Sequence, residues 1–226
     1  EAAGYTVDLQ YANNDVATQV SQLENMITNG AQVLVVASID GSALGTVLAT
    51  AKDAKIPVIA YDRLLTDTDA VDYYTTFDNY GVGKIQGQYI IDKFDLSNDA
   101  VKGPFTIEFT AGSPDDNNAN LFFTGAFDLL KPYLDSGKLV CKSGQTTFEA
   151  VATPAWKSET SQARMDNILS AYYTDALTGG TKLDICLCSN DSTALGVTNS
   201  LVAAGFTAEN IPVITGQDCD VANTKN

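Results

Sequence analysis

The sequence lacks histidine altogether. The chain therefore has no Ser-His-Asp or Cys-His pair, no histidine-ligated zinc and no imidazole to act as a general base near neutral pH. Cations are also few, 13 Lys and Arg against 28 Asp and Glu, which gives a formal net charge of −15. Phosphate backbones and anionic membrane surfaces attract basic faces. The composition therefore argues against nucleic acid and membrane surfaces as partners.

Long apolar runs are missing too, since none approaches the ~20 residues that span a bilayer. Cysteine occurs only four times. Cys186 and Cys188 lie two apart in a predicted strand, where their side chains share a face without facing each other for a disulfide. No CxxC pair is present, which disfavours structural zinc. We predict four reduced, mostly buried thiols and no metal site.

What the chain does have is a regular alternation of predicted strands and helices. The strands are predicted at 5–11, 33–37, 56–61, 71–77, 105–110, 139–142, 183–189 and 211–215. The helices are predicted at 15–30, 44–51, 82–94, 119–134, 161–177 and 192–204. This order is typical of right-handed βαβ units, so we expect an α/β fold with parallel sheets.

Polar residues follow five of the predicted strands. They are Asp62-Arg63, Asp78-Asn79, the segment 112–118, Asn190-Asp191 and Gln217-Asp218. In open α/β sheets, ligands bind outside the carboxyl ends of the strands. Carboxylates accept, Arg donates and amides do both, a mixture that suits a ligand with many hydroxyl groups. The alternative is that each Asp or Asn simply caps the following helix.

Motifs for cofactors or catalysis are weak. Gly81, Gly83 and Gly87 resemble a dinucleotide loop, but the third glycine is one residue late, so helix packing is the better interpretation. No Walker A sequence or G-x-S-x-G elbow is present. Asp115 and Asp116 are adjacent on a loop, whereas a glycosidase needs opposed carboxyls about 5–9 Å apart. We therefore predict no cofactor and no catalytic residue.

Eight segments carry a family resemblance, in family order over nearly the whole chain. They are QLENMI at 22–27, AYDR at 60–63, FDN at 77–79, GSPDDNNA at 112–119, LKPY at 130–133, PAW at 154–156, SND at 189–191 and GQD at 216–218. The chain resembles the type I periplasmic sugar-binding proteins of ABC transporters, in the xylose-binding and multiple-monosaccharide-binding (ChvE-like) branch. The resemblance implies two Rossmann-like lobes with parallel sheets, an N-terminal lobe at 1–77 to which 217–226 returns and a C-terminal lobe at 78–216. An aldose would bind in the cleft between them.

The resemblance also implies a set of sugar-binding residues: Asp62, Arg63, Asp116, Asn118, Phe123, Trp156, Asn190 and Asp218. Asp62 would accept from sugar hydroxyls, with Arg63 beside it. Trp156 would stack on the apolar face of the pyranose, the alternative being an ordinary core indole. Xylose-binding members carry arginine at the position of Phe123, and multiple-sugar members tend toward an aromatic residue. Phe123 therefore favours the broader-specificity branch and a second stacking wall.

The resemblance further implies that residues 1–4 are the last turn of a helix. The family's first strand, before this helix, and a segment after Asn226 would then be absent. The function that follows is an extracytoplasmic solute-binding protein that captures a monosaccharide such as xylose, glucose or galactose for import. Its partners would be an ABC transporter permease and also a chemoreceptor or sensor kinase. It would be a monomer in the periplasm or lipid-anchored on the outer face of the cytoplasmic membrane. The alternatives are a sugar-sensing effector domain of a transcription regulator or sensor kinase, and a carbohydrate enzyme.

Overall fold

The structure is a computed structural model that describes residues 3–224 of the chain. The chain forms two compact units, one up to Phe77 and one from Asp78 onward. Residues 217–224 are grouped with the second unit, so their return to the first lobe stays a prediction. Glu1 and Ala2, part of the expected helix end at 1–4, lie outside the described residues, as do 225 and 226.

The first unit is a small parallel sheet with two helices. In chain order its elements are α1 (Val16–Thr28), β1 (Leu34–Val36), α2 (Gly45–Asp53), β2 (Val58–Tyr61) and β3 (Tyr73–Thr75). The strands lie in the order β1-β2-β3 and pair in parallel. The first helix begins within the range predicted for it, and the Asp15 side chain caps it by accepting from the Thr18 N–H at 2.6 Å. Leu44, Leu48 and Val58 are fully buried in its core.

The strand predicted at 5–11 is wrong, since these residues form no strand. Its apolar side chains are all exposed: Tyr5, Val7, Leu9 and Tyr11. One hydrogen bond joins this segment to α1, from the Gln22 side chain to the Tyr11 carbonyl at 3.1 Å. An alternating pattern identifies which side chains can share a face, but a strand also needs a neighbour for its backbone groups. Among residues 3–224 no strand pairs with this segment.

The second unit holds a larger parallel sheet with helices packed on it. In chain order its elements are α3 (Asn79–Lys93), β4 (Phe105–Thr110), α4 (Asn117–Asp135), β5 (Leu139–Val140), α5 (Phe148–Val151), α6 (Ser158–Tyr172), β6 (Ile185–Cys188), α7 (Asp191–Ala203), β7 (Val213–Ile214) and α8 (Val221–Thr224). The strand order is β5-β4-β6-β7. All pairs are parallel. The carboxyl ends of β4, β6 and β7 therefore lie side by side along one edge.

The central strands explain why the second sheet is well buried. Every residue of β6 is buried, as are five of the six in β4. Ile107 and Phe109 are fully buried beneath α4. Near-continuous apolar strands of this kind are typical of parallel sheets covered on both faces. No helix within the described residues is long and apolar enough to cross a membrane.

Two sequence interpretations have clear outcomes in this unit. A Cβ placed on Gly83 would lie 2.1 Å from the carbonyl oxygen of Phe122, and one on Gly87 would lie 3.0 Å from that of Ala126, so these two glycines serve close helix packing, as predicted, whereas Gly81 lies against the capping side chain of Asp78. The four cysteines are free. Cys186 and Cys188 are buried as expected, whereas Cys219 is exposed because it lies in the loop after β7. Cys141 is half-buried, so the prediction of buried thiols is correct for Cys186 and Cys188, holds in part for Cys141 and is wrong for Cys219.

Candidate functional site

In the first unit, the predicted residues lie in the loop that follows β2. Asp62 has a left-handed backbone, with φ of 63°. Its N–H donates to the Thr75 carbonyl at 2.8 Å, and its own carbonyl accepts from the Tyr74 and Thr76 hydroxyls at 3.2 and 3.0 Å. The backbone of Asp62 is therefore fixed to the end of β3. Both side chains of the Asp62-Arg63 pair are neither fully buried nor fully exposed.

Arg63 joins this loop to the loop after β1. Its Nη1 donates to the carbonyls of Ile39 at 2.9 Å and Ser38 at 3.3 Å. Gln19 of α1 holds the same loop from the other direction, accepting from the Ile39 N–H at 3.0 Å and donating to the Ala37 carbonyl at 2.9 Å. Arg63 and Gln19 therefore hold the loop after β1 from two sides.

In the second unit, Trp156 lies at the carboxyl end of β4. The far edge of its indole packs on Gly112, where an added Cβ would lie 2.0 Å from the ring, so only glycine fits there. The backbone is left-handed at both Ala155 and Trp156, with φ of 53° and 56°. Ser113 holds this turn, since its hydroxyl accepts from the Ala155 N–H at 2.7 Å. Such backbone strain in non-glycine residues concentrates at functional sites.

Asp116 is both a helix cap and a partner of Trp156. Its Oδ1 accepts from the Asn118 N–H at 2.9 Å at the start of α4, and its Oδ2 accepts from the indole Nε1 of Trp156 at 3.1 Å. The indole is thus held at one end by a carboxylate and at the other by Gly112. Asp116 and Asn118 are each only 4% exposed. The structure brings these two predicted residues and Trp156 together.

Asn190 and Asp218 form a second pair at the ends of β6 and β7. The Asn190 side chain caps α7 through its oxygen, which accepts from the Thr193 N–H at 3.0 Å. Its nitrogen donates to Asp218 Oδ2 at 3.1 Å. The two loops are further joined by the Asp191 N–H, which donates to the Gln217 carbonyl at 2.9 Å. The predicted pair is therefore also brought together.

The surroundings of Asp218 are acidic. Burial raises the pKa of Asp218, and the nearby carboxylates of Asp191, Asp220 and Asp116 raise that pKa further, while the hydrogen bond from Asn190 lowers it. A carboxylate in such surroundings favours a neutral ligand that donates hydroxyl groups over an anionic one. Among residues 3–224, no group of carboxylates and cysteines could hold a metal ion.

Phe123 lies elsewhere. It is 6% exposed and belongs to the core beneath α4, stacked on Phe127 with centroids 5.3 Å apart and edge-on to Phe109 at 6.0 Å. Other core side chains therefore cover the Phe123 ring, which was expected to form a second stacking wall. Helical geometry explains the difference, because residues four apart share a face. Phe122, four residues after Asn118, lies edge-on to Trp156 with centroids 6.4 Å apart.

Sequence reasoning missed Phe122, and it also missed Gly112 and Ser113 as supports of the indole. The spacing from Asn118 to Phe122 was a usable signal, whereas nothing local in the sequence connects Ser113 to Ala155. A cavity of about 730 Å³ lies beside β7, and its lining is both polar and apolar: Asp191, Thr198, Thr215, Gln217 and Asp218 together with Ile211, Pro212 and Ile214.

Comparison with known proteins places this arrangement in a family. The periplasmic binding protein domain matches residues 1–226, the whole chain. The chain belongs to the periplasmic binding protein family. The curated relatives of this family member include the multiple sugar-binding periplasmic receptor ChvE of Rhizobium radiobacter, 50% identical over 228 residues. They also include the D-xylose-binding periplasmic protein of Escherichia coli (strain K12), 38% identical over 225 residues.

A solved structure gives the same result for the fold. The ABC transporter solute-binding protein of Clostridium phytofermentans with bound β-D-glucose has a TM-score of 0.93 and 61% identity, covering 100% of this chain and 67% of that one. The two curated relatives are matched over 100% of this chain but only 62% and 61% of their own length. The type I periplasmic binding protein fold and the sugar-binding branch predicted from the sequence are therefore confirmed. Both of these curated relatives are named as periplasmic proteins.

Proposed function

We propose that this periplasmic binding protein binds a neutral monosaccharide, an aldose such as glucose, xylose or galactose, and delivers it to an ABC transporter permease. The observation that carries the proposal is the row of polar groups at the ends of β4, β6 and β7, with Trp156 fixed among them by Asp116. An indole face suits the apolar face of a pyranose, and carboxylates and amides suit its hydroxyls. The glucose-bound relative at 61% identity supports the same ligand class.

The proposed ligand set consists of Asp62 and Arg63 in the first unit and Asp116, Asn118, Trp156, Asn190 and Asp218 in the second. Phe122 supports Trp156 from the side. These residues would bind the sugar without converting it, and the protein would act as a monomer on the outer side of the cytoplasmic membrane, in the periplasm or attached through a lipid. A chemoreceptor or sensor kinase is proposed as a further partner.

The single tryptophan provides a direct test. We expect a saturable change in the intrinsic fluorescence of Trp156 when D-glucose, D-xylose, D-galactose or L-arabinose is added, because sugar stacking alters the surroundings of the indole. Mannitol has the hydroxyls but no pyranose face, so the same concentration should change little. Calorimetry should give the same dissociation constants, and chromatography should recover the sugar unchanged.

Three results would count against the proposal or a part of it. If none of the four aldoses at millimolar concentration gave heat or a fluorescence change, sugar binding by this chain would be disproved. Recovery of a converted sugar would instead favour an enzyme. Equal responses to mannitol and D-glucose would leave hydroxyl recognition but remove the stacking role of Trp156.

A further inference from the structure

Gln86 is a buried polar residue that the proposed ligand set does not include. It lies in α3, inside the glycine-containing segment 81–87, and is 6% exposed. Its side-chain nitrogen donates to the Ser189 carbonyl at 3.2 Å and to the Gly216 carbonyl at 3.1 Å. Ser189 immediately precedes Asn190, and Gly216 lies two residues before Asp218. One amide group therefore holds the two loops that carry this ligand pair.

The orientation of the Gln86 amide follows from its two partners. Carbonyl oxygens only accept, so the atom that faces both of them must be the NH₂ group, which has two hydrogens to give. The amide oxygen, Oε1, is buried without a hydrogen-bond partner among the described residues. Polar groups left in this condition are costly and uncommon in folded proteins. The placement of Gln86 therefore calls for a role beyond filling space.

Close helix packing brings Gln86 to this position. Gly83 and Gly87 allow α3 to approach α4 so closely that a Cβ on Gly87 would lie 3.0 Å from the Ala126 carbonyl oxygen. Helix α4 begins next to Asp116, whose Oδ2 accepts from the Trp156 indole. The same helix pair thus carries groups that support the ends of β4, β6 and β7.

We propose that Gln86 is a positioning residue for sugar binding, whose side-chain amide holds Asn190 and Asp218 within hydrogen-bond distance of each other. The proposal rests on the proposed function and deepens it by naming a residue that acts through two ligands. Strand pairing itself does not depend on Gln86. The Thr215 hydroxyl donates to the Cys188 carbonyl at 2.8 Å and accepts from the Cys188 N–H at 2.9 Å, so β6 and β7 stay joined without it.

Three variants distinguish the hydrogen bonds of the Gln86 amide from the volume of its side chain. Gln86→Met keeps the length and removes both donors, and Gln86→Glu places a carboxylate against two carbonyl oxygens. Gln88→Met is the matched control, because Gln88 is an exposed glutamine of the same helix that donates to Asp92. Calorimetry with D-glucose should show about tenfold weaker binding for Gln86→Met, a larger loss for Gln86→Glu and no change for Gln88→Met. Unchanged affinity in Gln86→Met would overturn the proposal.

A double-mutant cycle distinguishes positioning from general weakening of the fold. If Gln86 acts through the Asn190–Asp218 pair, then Gln86→Met should weaken glucose binding less than about twofold in an Asp218→Ala background, where the pair is already broken. A full tenfold loss in both backgrounds would show that Gln86 does not act through the pair.

A titration without sugar tests the same proposal independently of the proposed function. Asp191, Asp220 and Asp116 are the charged groups around Asp218, and the Asn190 hydrogen bond lowers its pKa. Gln86→Met should therefore raise the pKa of Asp218, measured from its carboxyl ¹³C shift, while Gln88→Met should not. An unchanged pKa would overturn the positioning role. If the wild-type chain gave no heat with sugar, the proposed function would fail, and this titration would still decide for or against Gln86.

Discussion

The two units hold their proposed ligand groups by different means. In the first unit, side chains hold backbone: Arg63 donates to the carbonyls of Ser38 and Ile39, and hydroxyls donate to the Asp62 carbonyl. In the second unit, side chains hold one another, through Asp116 with Trp156 and Asn190 with Asp218. The second arrangement fixes the orientation of each ligand group directly. The first fixes the loops that carry Asp62 and Arg63.

This difference predicts unequal roles in recognition. In the second unit, removing one member of a pair also releases the other member, so two contacts with the sugar change at once. We expect substitutions in the second unit to change which aldose is preferred. Substitutions in the first unit should weaken all aldoses to a similar extent. The variants below test the comparison, beginning with the largest expected effect.

Removing Trp156 should be the most damaging change. Trp156→Ala removes the stacking face and leaves the Asp116 Oδ2 without its indole partner, so we expect about 100-fold weaker binding of D-glucose by calorimetry. Trp156→Phe keeps a ring but has no N–H for Asp116, and an intermediate loss should result. Tyr172→Ala, which removes a half-exposed aromatic side chain of α6, serves as the control and should bind normally. Equal affinity in Trp156→Ala would show that the indole is structural.

A substitution of Arg63 tests the role of the first unit in sugar binding. Arg63→Met removes the donors to the Ser38 and Ile39 carbonyls and frees the loop after β1, so D-glucose, D-xylose and D-galactose should all bind about tenfold more weakly. Lys52→Met is the control, since Lys52 forms an exposed salt bridge with Asp69. Surface ion pairs of this kind contribute little to stability. A change in sugar preference in Arg63→Met would contradict the division of roles between the units.

The acidic surroundings of Asp218 predict opposite effects on stability and binding. Its pKa lies above the ordinary value of 3.8, mainly because of burial. The folded state therefore holds this proton more tightly than the unfolded state, and stability is lost as the pH rises through the raised pKa. Asp218→Asn removes the charge, so its melting temperature at pH 7 should equal or exceed that of the wild type.

The affinity for sugar should depend on pH in the opposite direction to the stability. The ionised carboxylate accepts from hydroxyls, so the affinity of the wild type should fall as the pH drops through the raised pKa, above the range of an ordinary aspartate. Asp218→Asn should bind D-glucose severalfold more weakly at pH 7, and its affinity should no longer fall as the pH drops. The two measurements are thermal unfolding and calorimetry across the same pH series. Loss of both stability and affinity in Asp218→Asn would show that the charge is needed for folding.

How far the sequence could predict this site depends on the range of each interaction. The helix caps at Asp15, Asp116 and Asn190 are local, and their backbone partners lie two or three residues away. The sequence left helix capping and a role in the site as alternatives, but Asp116 and Asn190 each cap a helix and also contact another proposed ligand residue. Asp116 caps α4 with one oxygen and holds Trp156 with the other, and Asn190 divides its oxygen and nitrogen in the same way. A polar side chain with two atoms to offer can do both.

Longer-range features were beyond local pattern. Gln86 contacts carbonyls more than a hundred residues away, and the contact between Ser113 and Ala155 spans a predicted helix and strand. Neither shows as periodicity or spacing. The segment 5–11 failed for a related reason, since alternation predicts a strand but cannot supply its partner. Local chemistry was thus predictable, whereas the pairing of distant segments was not.

The adjacent rings of α4 allow the sharpest and smallest test. Phe122 lies edge-on to Trp156, so Phe122→Leu should weaken D-glucose binding by about threefold while Trp156 loses one flank. Phe123 packs instead on Phe109 and Phe127, so Phe123→Leu should lower the free energy of unfolding by about 1 kcal/mol and leave affinity unchanged. Denaturant unfolding and calorimetry on the two variants measure both effects. If Phe123→Leu changed sugar affinity and Phe122→Leu did not, the aromatic wall would be Phe123 after all, and the second unit would hold its indole without help from the neighbouring ring.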